Sequence, residues 1–150
     1  MRIGLLALLL LAGACHDASA DRTRVDHAWV RLPALPDRPG AAYLVVHGGA
    51  EPVRLVAVDA AAAGSSELHR SMGKPMAGGM SAMSMERVDG IDVPAHGQVA
   101  LAPQGYHAML FALDPKLKAG SKVPLTIRLA KGQPIAVEAK AVGAGDAAPY

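Results

Sequence analysis

Glycine and proline recur so often along this chain that a long helix has nowhere to form. After residue 20 they stand, among other places, at Pro33, Pro36, Pro39-Gly40, Gly48-Gly49, Gly90, Pro94, Gly97, Pro103, Gly105, Gly120 and Gly132-Gln133-Pro134. Proline lacks the N–H that a helix interior needs, and glycine supplies turn conformations, so each marks a point where a regular element stops. The short segments between them carry no sustained helical periodicity. Several instead alternate with period two: Val123, Leu125, Ile127 and Leu129 face one way, and Pro124, Thr126 and Arg128 the other, as in a half-buried strand. The pattern predicts strands over Val25–Arg31, Ala41–His47, Val53–Asp59, Ser66–Arg70, Ser84–Val88, Gln98–Ala102, His107–Leu113, Lys122–Leu129 and Ile135–Ala139. Pro124 cannot donate to a ladder, which predicts that its strand lies at an edge or begins there. Many short strands spaced in this way predict an all-β chain, an antiparallel Greek-key sandwich or a barrel.

Length and composition bound the rest. The chain has 150 residues, enough for one domain. It is 51% hydrophobic and 19% charged, which suits a folded domain. Aromatics make up only 3%, so the core must be built from Val, Leu, Ile and Ala. The formal net charge is +2 with scattered basic residues, and no basic patch points to nucleic acid. Arg2 followed by the apolar run Ile3 to Ala14 has the form of a signal peptide, too short to span a bilayer. Two processing schemes fit. Ala18-Ser19-Ala20 is an A-x-A site that gives a periplasmic chain starting at Asp21; Ala12-Gly13-Ala14-Cys15 resembles a lipobox that gives a membrane anchor on Cys15. The expected layout is a signal over 1–20, a β-sandwich domain over 21–142 and a disordered tail over 143–150. Cleavage after Ala20 removes the one cysteine, so neither a disulfide nor a thiolate ligand is expected.

The anomaly is methionine. Of seven in the chain, Met72, Met76, Met80, Met83 and Met85 fall within fourteen residues. Elsewhere, Glu67-Leu68-His69 and Gly105-Tyr106-His107-Ala108-Met109 carry histidine in strand-like settings. On a strand, residues i and i+2 share a face, so His107 and Met109 can present an imidazole and a thioether together. Thioethers are soft, neutral donors that favour Cu(I) and compete poorly for hard cations, while imidazole accepts copper in either oxidation state. In an oxidising compartment they also form no disulfides. Such a set predicts Cu(I) binding.

These residues resemble the PCuAC family of periplasmic copper chaperones, whose pattern is H(M)-x10-M-x21-H-x-M. Met85 and His107 are separated by 21 residues, Met109 completes His-x-Met, and His69 takes the place of the first ligand. Ala28-Trp29-Val30-Arg31, Ala42-Tyr43-Leu44, Val88-Asp89-Gly90-Ile91 and Val93-Pro94 are similar as well, so the match runs over about residues 25–140. The resemblance implies a cupredoxin-like or immunoglobulin-like sandwich. It also implies Cu(I) held by His69, Met85, His107 and Met109, and delivery towards the copper centre of cytochrome c oxidase or another assembly chaperone. The chain departs from the pattern between His69 and Met85, where 15 residues stand in place of ten. Met80 satisfies the ten-residue gap, but Met85 satisfies the downstream one and is favoured. The extra residues, Ser71–Ala82, are expected to form an enlarged loop, with Met72, Met80 and Met83 as supplementary ligands.

Rival functions separate on chemistry. A blue-copper electron carrier needs a cysteine thiolate, which the exported chain lacks. A copper-storage protein would bind more than one Cu(I), and an immunoglobulin-like interaction module would bind none. No nucleophile elbow, paired-carboxylate motif or cofactor loop indicates an enzyme. A monomeric binding protein is expected, touching a membrane only if lipidated at Cys15. Bland roles are assigned to His27, His47 and His96, and Trp29 is read as a core or site-flanking aromatic. Tyr106 either covers the site or packs.

Overall fold

The computed structural model describes residues 21–75 and 81–150, with the backbone alone at 74, 75 and 81–83. Ten strands lie among the described residues: β1 (Arg24–Arg31), β2 (Gly40–His47), β3 (Val53–Ala60), β4 (Ser65–Pro75), β5 (Ser81–Arg87), β6 (Ile91–Val93), β7 (Gln98–Leu101), β8 (Tyr106–Phe111), β9 (Lys122–Leu129) and β10 (Ile135–Val142). No helix is found among these residues. They join into one mixed sheet in the order β5-β4-β8-β7-β2-β1-β10-β9-β3-β6, with β8 also paired to β2. Most neighbours are antiparallel; β1–β10 and the short β7–β8 contact are parallel. The sheet folds over, so that β3 packs against β4 and β8. The all-β sandwich expected from the punctuation is therefore present.

The core follows from period-two alternation. Val30, Leu44, Val46, Leu68, Ala108 and Leu110 from one half meet Leu55, Val58, Val123, Leu125 and Ile127 from the other. The aliphatic side chains demanded by a chain so poor in aromatics fill it. Outside that core, on the opposite face of β1, β2 and β10, Trp29, Tyr43 and Val142 form a second small cluster. Trp29 and Tyr43 are cross-strand partners, with ring centroids 4.3 Å apart. Offset aromatic pairs of this kind contribute about 0.5–1.5 kcal/mol beyond their area.

Three features depart from the sequence expectations. Strand β9 is internal, flanked by β10 and β3, although it contains Pro124. Pro124 is tolerated because the pairing with β3 begins only at Leu125, opposite Ala60, so no β3 carbonyl waits for the missing N–H. Ile91–Val93 is a strand that three residues are too few to announce by periodicity. Ser71–Ala82 is not a plain enlarged loop. Ser71–Pro75 and Ser81–Met85 pair in register and lengthen the β4–β5 hairpin.

Beyond β10, where a disordered tail is expected, Asp146 accepts a bond from the Gly143 N–H at 2.7 Å. The Tyr150 ring stands edge-on to His27, with centroids 5.1 Å apart.

Candidate metal centre

Strand β8 builds the middle of the site. Ala108 and Leu110 are fully buried in the core, so alternation turns His107 and Met109 to the outer face. On one side β8 pairs with β4, where His69 lies opposite His107 and Glu67 opposite Met109. On the other it pairs with β2, where Ala41 lies opposite Met109. Beyond β4, edge strand β5 sets Met85 opposite Ser71 and Arg87 opposite His69. The outer face thus carries His69, Met85, His107 and Met109 on three adjacent strands.

The side chains converge as this register requires. Met85, His107 and Met109 line one cleft of about 360 Å³, together with Tyr43, Ser71, Pro103 and Gln104. The His69 and His107 rings are 6.0 Å apart, centroid to centroid, and tilted by 30°. His107 is buried, 5% exposed, while Met85 at the rim is 62% exposed. Tyr43 closes the back, its ring 6.5 Å from that of His107. Burial pushes its phenol above 10.0, against the charge of Arg31, so it stays neutral. Behind Tyr43 lies Trp29, with the Arg31 guanidinium 5.1 Å from the Trp29 ring centroid.

Both imidazoles are held from outside the cleft. The turn before β8 closes through Gly105 N–H to Ala102 O at 3.0 Å. The Gly105 carbonyl then accepts two bonds, from Ser71 N–H at 3.1 Å and from His107 Nδ1 at 3.0 Å. The Nε2 of His69 lies 3.0 Å from Glu67 Oε2, and Arg87 reaches Glu67 Oε1 at 3.3 Å. The His69 bond holds the Glu67 carboxyl below its ordinary 4.5; desolvation opposes this and Arg87 assists. The Nδ1 of His69 is buried and has no hydrogen-bond partner. A buried acceptor left unsatisfied costs about 1–3 kcal/mol, and such an atom in a native fold asks for a ligand or a function.

Other expectations sort by the same alternation. Met72 pairs with Ser84 one residue out of step with Ser71 and Met85, so β4 turns it to the opposite face. Only the backbone of Met83 is described, opposite Gly73; Met76 and Met80 lie outside the described residues, as do Cys15 and the segment 1–20. Tyr106 packs on the main core with Arg70 over its ring and does not cover the cleft. Trp29 flanks the site at one remove, through Tyr43. His27 bonds Asp26 at 2.7 Å, His47 Nε2 lies at ion-pair distance from it, 2.9 Å, and His96 shares a different cleft with His47. Two participants carry no assigned role in the sequence reading: Tyr43, named within the family-like Ala42-Tyr43-Leu44, and Glu67, named within Glu67-Leu68-His69.

A family model described as "Putative lipoprotein LpqE-like" matches residues 23–141. The chain belongs to this LpqE-like family. A relative from Leifsonia xyli subsp. xyli (strain CTCB07), named "Putative lipoprotein Lxx21020", is 34% identical over 123 residues, covering 81% of this chain and 71% of the relative. Among solved structures, the copper-bound PCuAC domain from PmoF2 superposes with a TM-score of 0.64 at 22% identity, covering 85% of this chain and 98% of that one. The solution structure of CuI-DR1885 from Deinococcus radiodurans gives a TM-score of 0.58 at 28% identity, with 83% of each chain covered. The PCuAC resemblance expected from the sequence is thus matched by a structural neighbour that is a PCuAC domain. The LpqE-like chain shares that domain's cupredoxin- or immunoglobulin-like β fold.

Proposed function

We propose that this LpqE-like protein binds one Cu(I) through His69, Met85, His107 and Met109 and passes it to an acceptor protein. The observation that carries this reading is a cleft lined by Met85, His107 and Met109, with the anchored His69 ring 6.0 Å from that of His107. Among the described residues no group of three His, Cys, Asp or Glu side chains is placed to hold a metal. The two thioethers would complete the set beyond the imidazoles, and thioethers favour soft Cu(I). Metal–nitrogen bonds are about 2 Å long, so imidazoles with centroids 6.0 Å apart can share one ion. The orphaned Nδ1 of His69 fits the same account, since a bound metal would satisfy it.

Release follows from the layout. His107 is buried and fixed, whereas Met85 lies exposed on an edge strand. An incoming ligand from an acceptor can displace Met85 first, while the imidazoles still hold the ion. All four ligands are uncharged when they bind, so copper leaves without a buried charge remaining behind. The PmoF2 and DR1885 names, which mention copper, support the choice of cargo. The PCuAC resemblance supports a role in cytochrome c oxidase assembly, with the oxidase or another assembly chaperone as acceptor. The lipoprotein names of the family and of the Leifsonia relative support export with a lipid on Cys15. Binding and transfer, not catalysis, is the proposed activity, carried out by a monomer.

The test is a titration of apo protein with Cu(I) against a competing chelator. One Cu(I) per chain is expected, with binding lost in the His107→Ala, Met109→Ala double variant. Unchanged binding in that variant would sink the proposal, and a stoichiometry well above one would favour storage.

A further inference from the structure

The two histidines are held by opposite ring nitrogens, and this difference assigns a role to a residue outside the ligand set. Neutral imidazole carries one N–H and one lone pair, and which nitrogen keeps the proton is decided by the partner it meets. A carboxylate and a carbonyl are both acceptors. The Nε2 of His69 faces the Glu67 carboxylate at 3.0 Å, so Nε2 carries the proton and the lone pair falls on Nδ1. For His107 the acceptor is Gly105 O, 3.0 Å from Nδ1, so the proton sits there and the lone pair falls on Nε2. The environment agrees for His69, because its Nδ1 is the buried nitrogen without a partner.

We infer that Glu67 is a positioning residue that commits His69 to bind copper through Nδ1, while His107 binds through Nε2. The inference rests on the copper reading above for the identity of the ion. Glu67 suits the task because it is itself anchored. It precedes His69 by two residues and so shares the outer face of β4. Its second oxygen is held from β5 by Arg87, which lies opposite His69 in the register. The chain Arg87–Glu67–His69 thus braces the ring through its Nε2. A carboxylate behind a metal-binding imidazole fixes its tautomer and orientation and raises its basicity, and losing such a partner typically costs about 10–100-fold in metal affinity. With opposite nitrogens as donors, the two histidines bring the ion in from different angles. A histidine exchange that kept the residue but swapped the nitrogen would misplace it.

The test combines nitrogen-15 NMR of the imidazoles with Cu(I) competition, on wild type, Glu67→Gln and Glu67→Ala. The glutamine carbonyl can still accept the Nε2–H bond, so Glu67→Gln separates position from charge. In the apo wild type and in Glu67→Gln, His69 should show one tautomer, protonated on Nε2. Added Cu(I) should move the Nδ1 resonance of His69 and the Nε2 resonance of His107. Glu67→Ala should mix the His69 tautomers, leave His107 as it was, and weaken Cu(I) binding about 10–100-fold; Glu67→Gln should recover most of that loss. A His69 protonated on Nδ1, a copper shift at its Nε2, or a Glu67→Ala protein equal to wild type in tautomer and affinity would overturn the inference. So would a Glu67→Gln protein as weak as Glu67→Ala, which would make charge the contribution. If wild type shows the stated tautomers yet binds no Cu(I), the copper reading falls and takes the coordination assignment with it. If it binds Cu(I) through the other nitrogens, this inference alone falls.

Discussion

Met85 carries two opposite demands in one side chain. It is the most exposed of the candidate ligands, 62% open to solvent at the rim of the cleft, yet it is asked to hold an ion. Its packing contribution is correspondingly small. Met85→Leu should leave thermal stability nearly unchanged, within about 0.5 kcal/mol as for other surface sites. The same substitution should lower Cu(I) affinity by at least about tenfold, because leucine keeps the bulk and removes the sulfur donor. Equal affinity in chelator competition would show that Met85 is a rim residue and not a ligand. His107-x-Met109 was legible in the sequence because a strand alternates every two residues and Ala108 and Leu110 are plainly core. The same rule separates Tyr106 from His107, whereas separating Met72 from Met85 also takes the β4–β5 register. The pairing of Glu67 with His69 was not legible, since it depends on side-chain rotamers that spacing does not specify.

At the level of single elements, the β4–β5 hairpin explains how a longer insertion leaves the candidate ligands in place. Ser71 pairs with Met85, and the residues beyond them extend the ladder outward, away from the core. Lengthening a hairpin by whole pairs does not shift register, so His69 and Met85 keep their faces. Removal of Lys74–Ala82 would join Gly73 to Met83 as a two-residue turn with glycine first, a form that suits a tight hairpin. This shortened chain should still bind one Cu(I), with affinity within about threefold of wild type, roughly 0.6 kcal/mol. A larger loss, or a fall from a higher stoichiometry, would assign Met76 or Met80 a share in binding. The family spacing mismatch had pointed to this region, yet spacing alone does not distinguish a loop from a longer pair of strands. The pairing partner decides between them.

Across the whole molecule, Asp26 is a tie between strands remote from the His–Met cleft. It lies on β1 beside an irregularity between Asp26 and Trp29, where His27 takes a positive φ of 50°. Its carboxylate meets His27 on the same strand and His47 on β2. Burial pushes its carboxyl up, but the bonds to the two histidines and their charges prevail and hold it below the ordinary 3.8. A depressed carboxylate stabilises the fold above its unfolded value, and that contribution is lost as pH falls through the folded value. Because the side chain is 38% exposed, solvent screening keeps the effect under about 1 kcal/mol. Wild type should therefore lose more of its melting temperature than Asp26→Asn between about pH 4 and pH 2. Parallel melting curves for both proteins would reveal any failure of this expectation.

The residues themselves were enough to establish an all-β chain with an aliphatic core and a soft His–Met donor set around His107 and Met109. Those conclusions rest on local physics: turn residues interrupt helices, alternation assigns faces, and donor chemistry is intrinsic to each side chain. The folded structure was needed to bring His69 and Met85 beside them, because neighbours across a sheet are set by strand order. That order is a property of how the whole apolar surface is buried. It was needed also to place β9 inside the sheet despite Pro124, and to show that His69 meets Glu67 through Nε2 while His107 meets Gly105 through Nδ1.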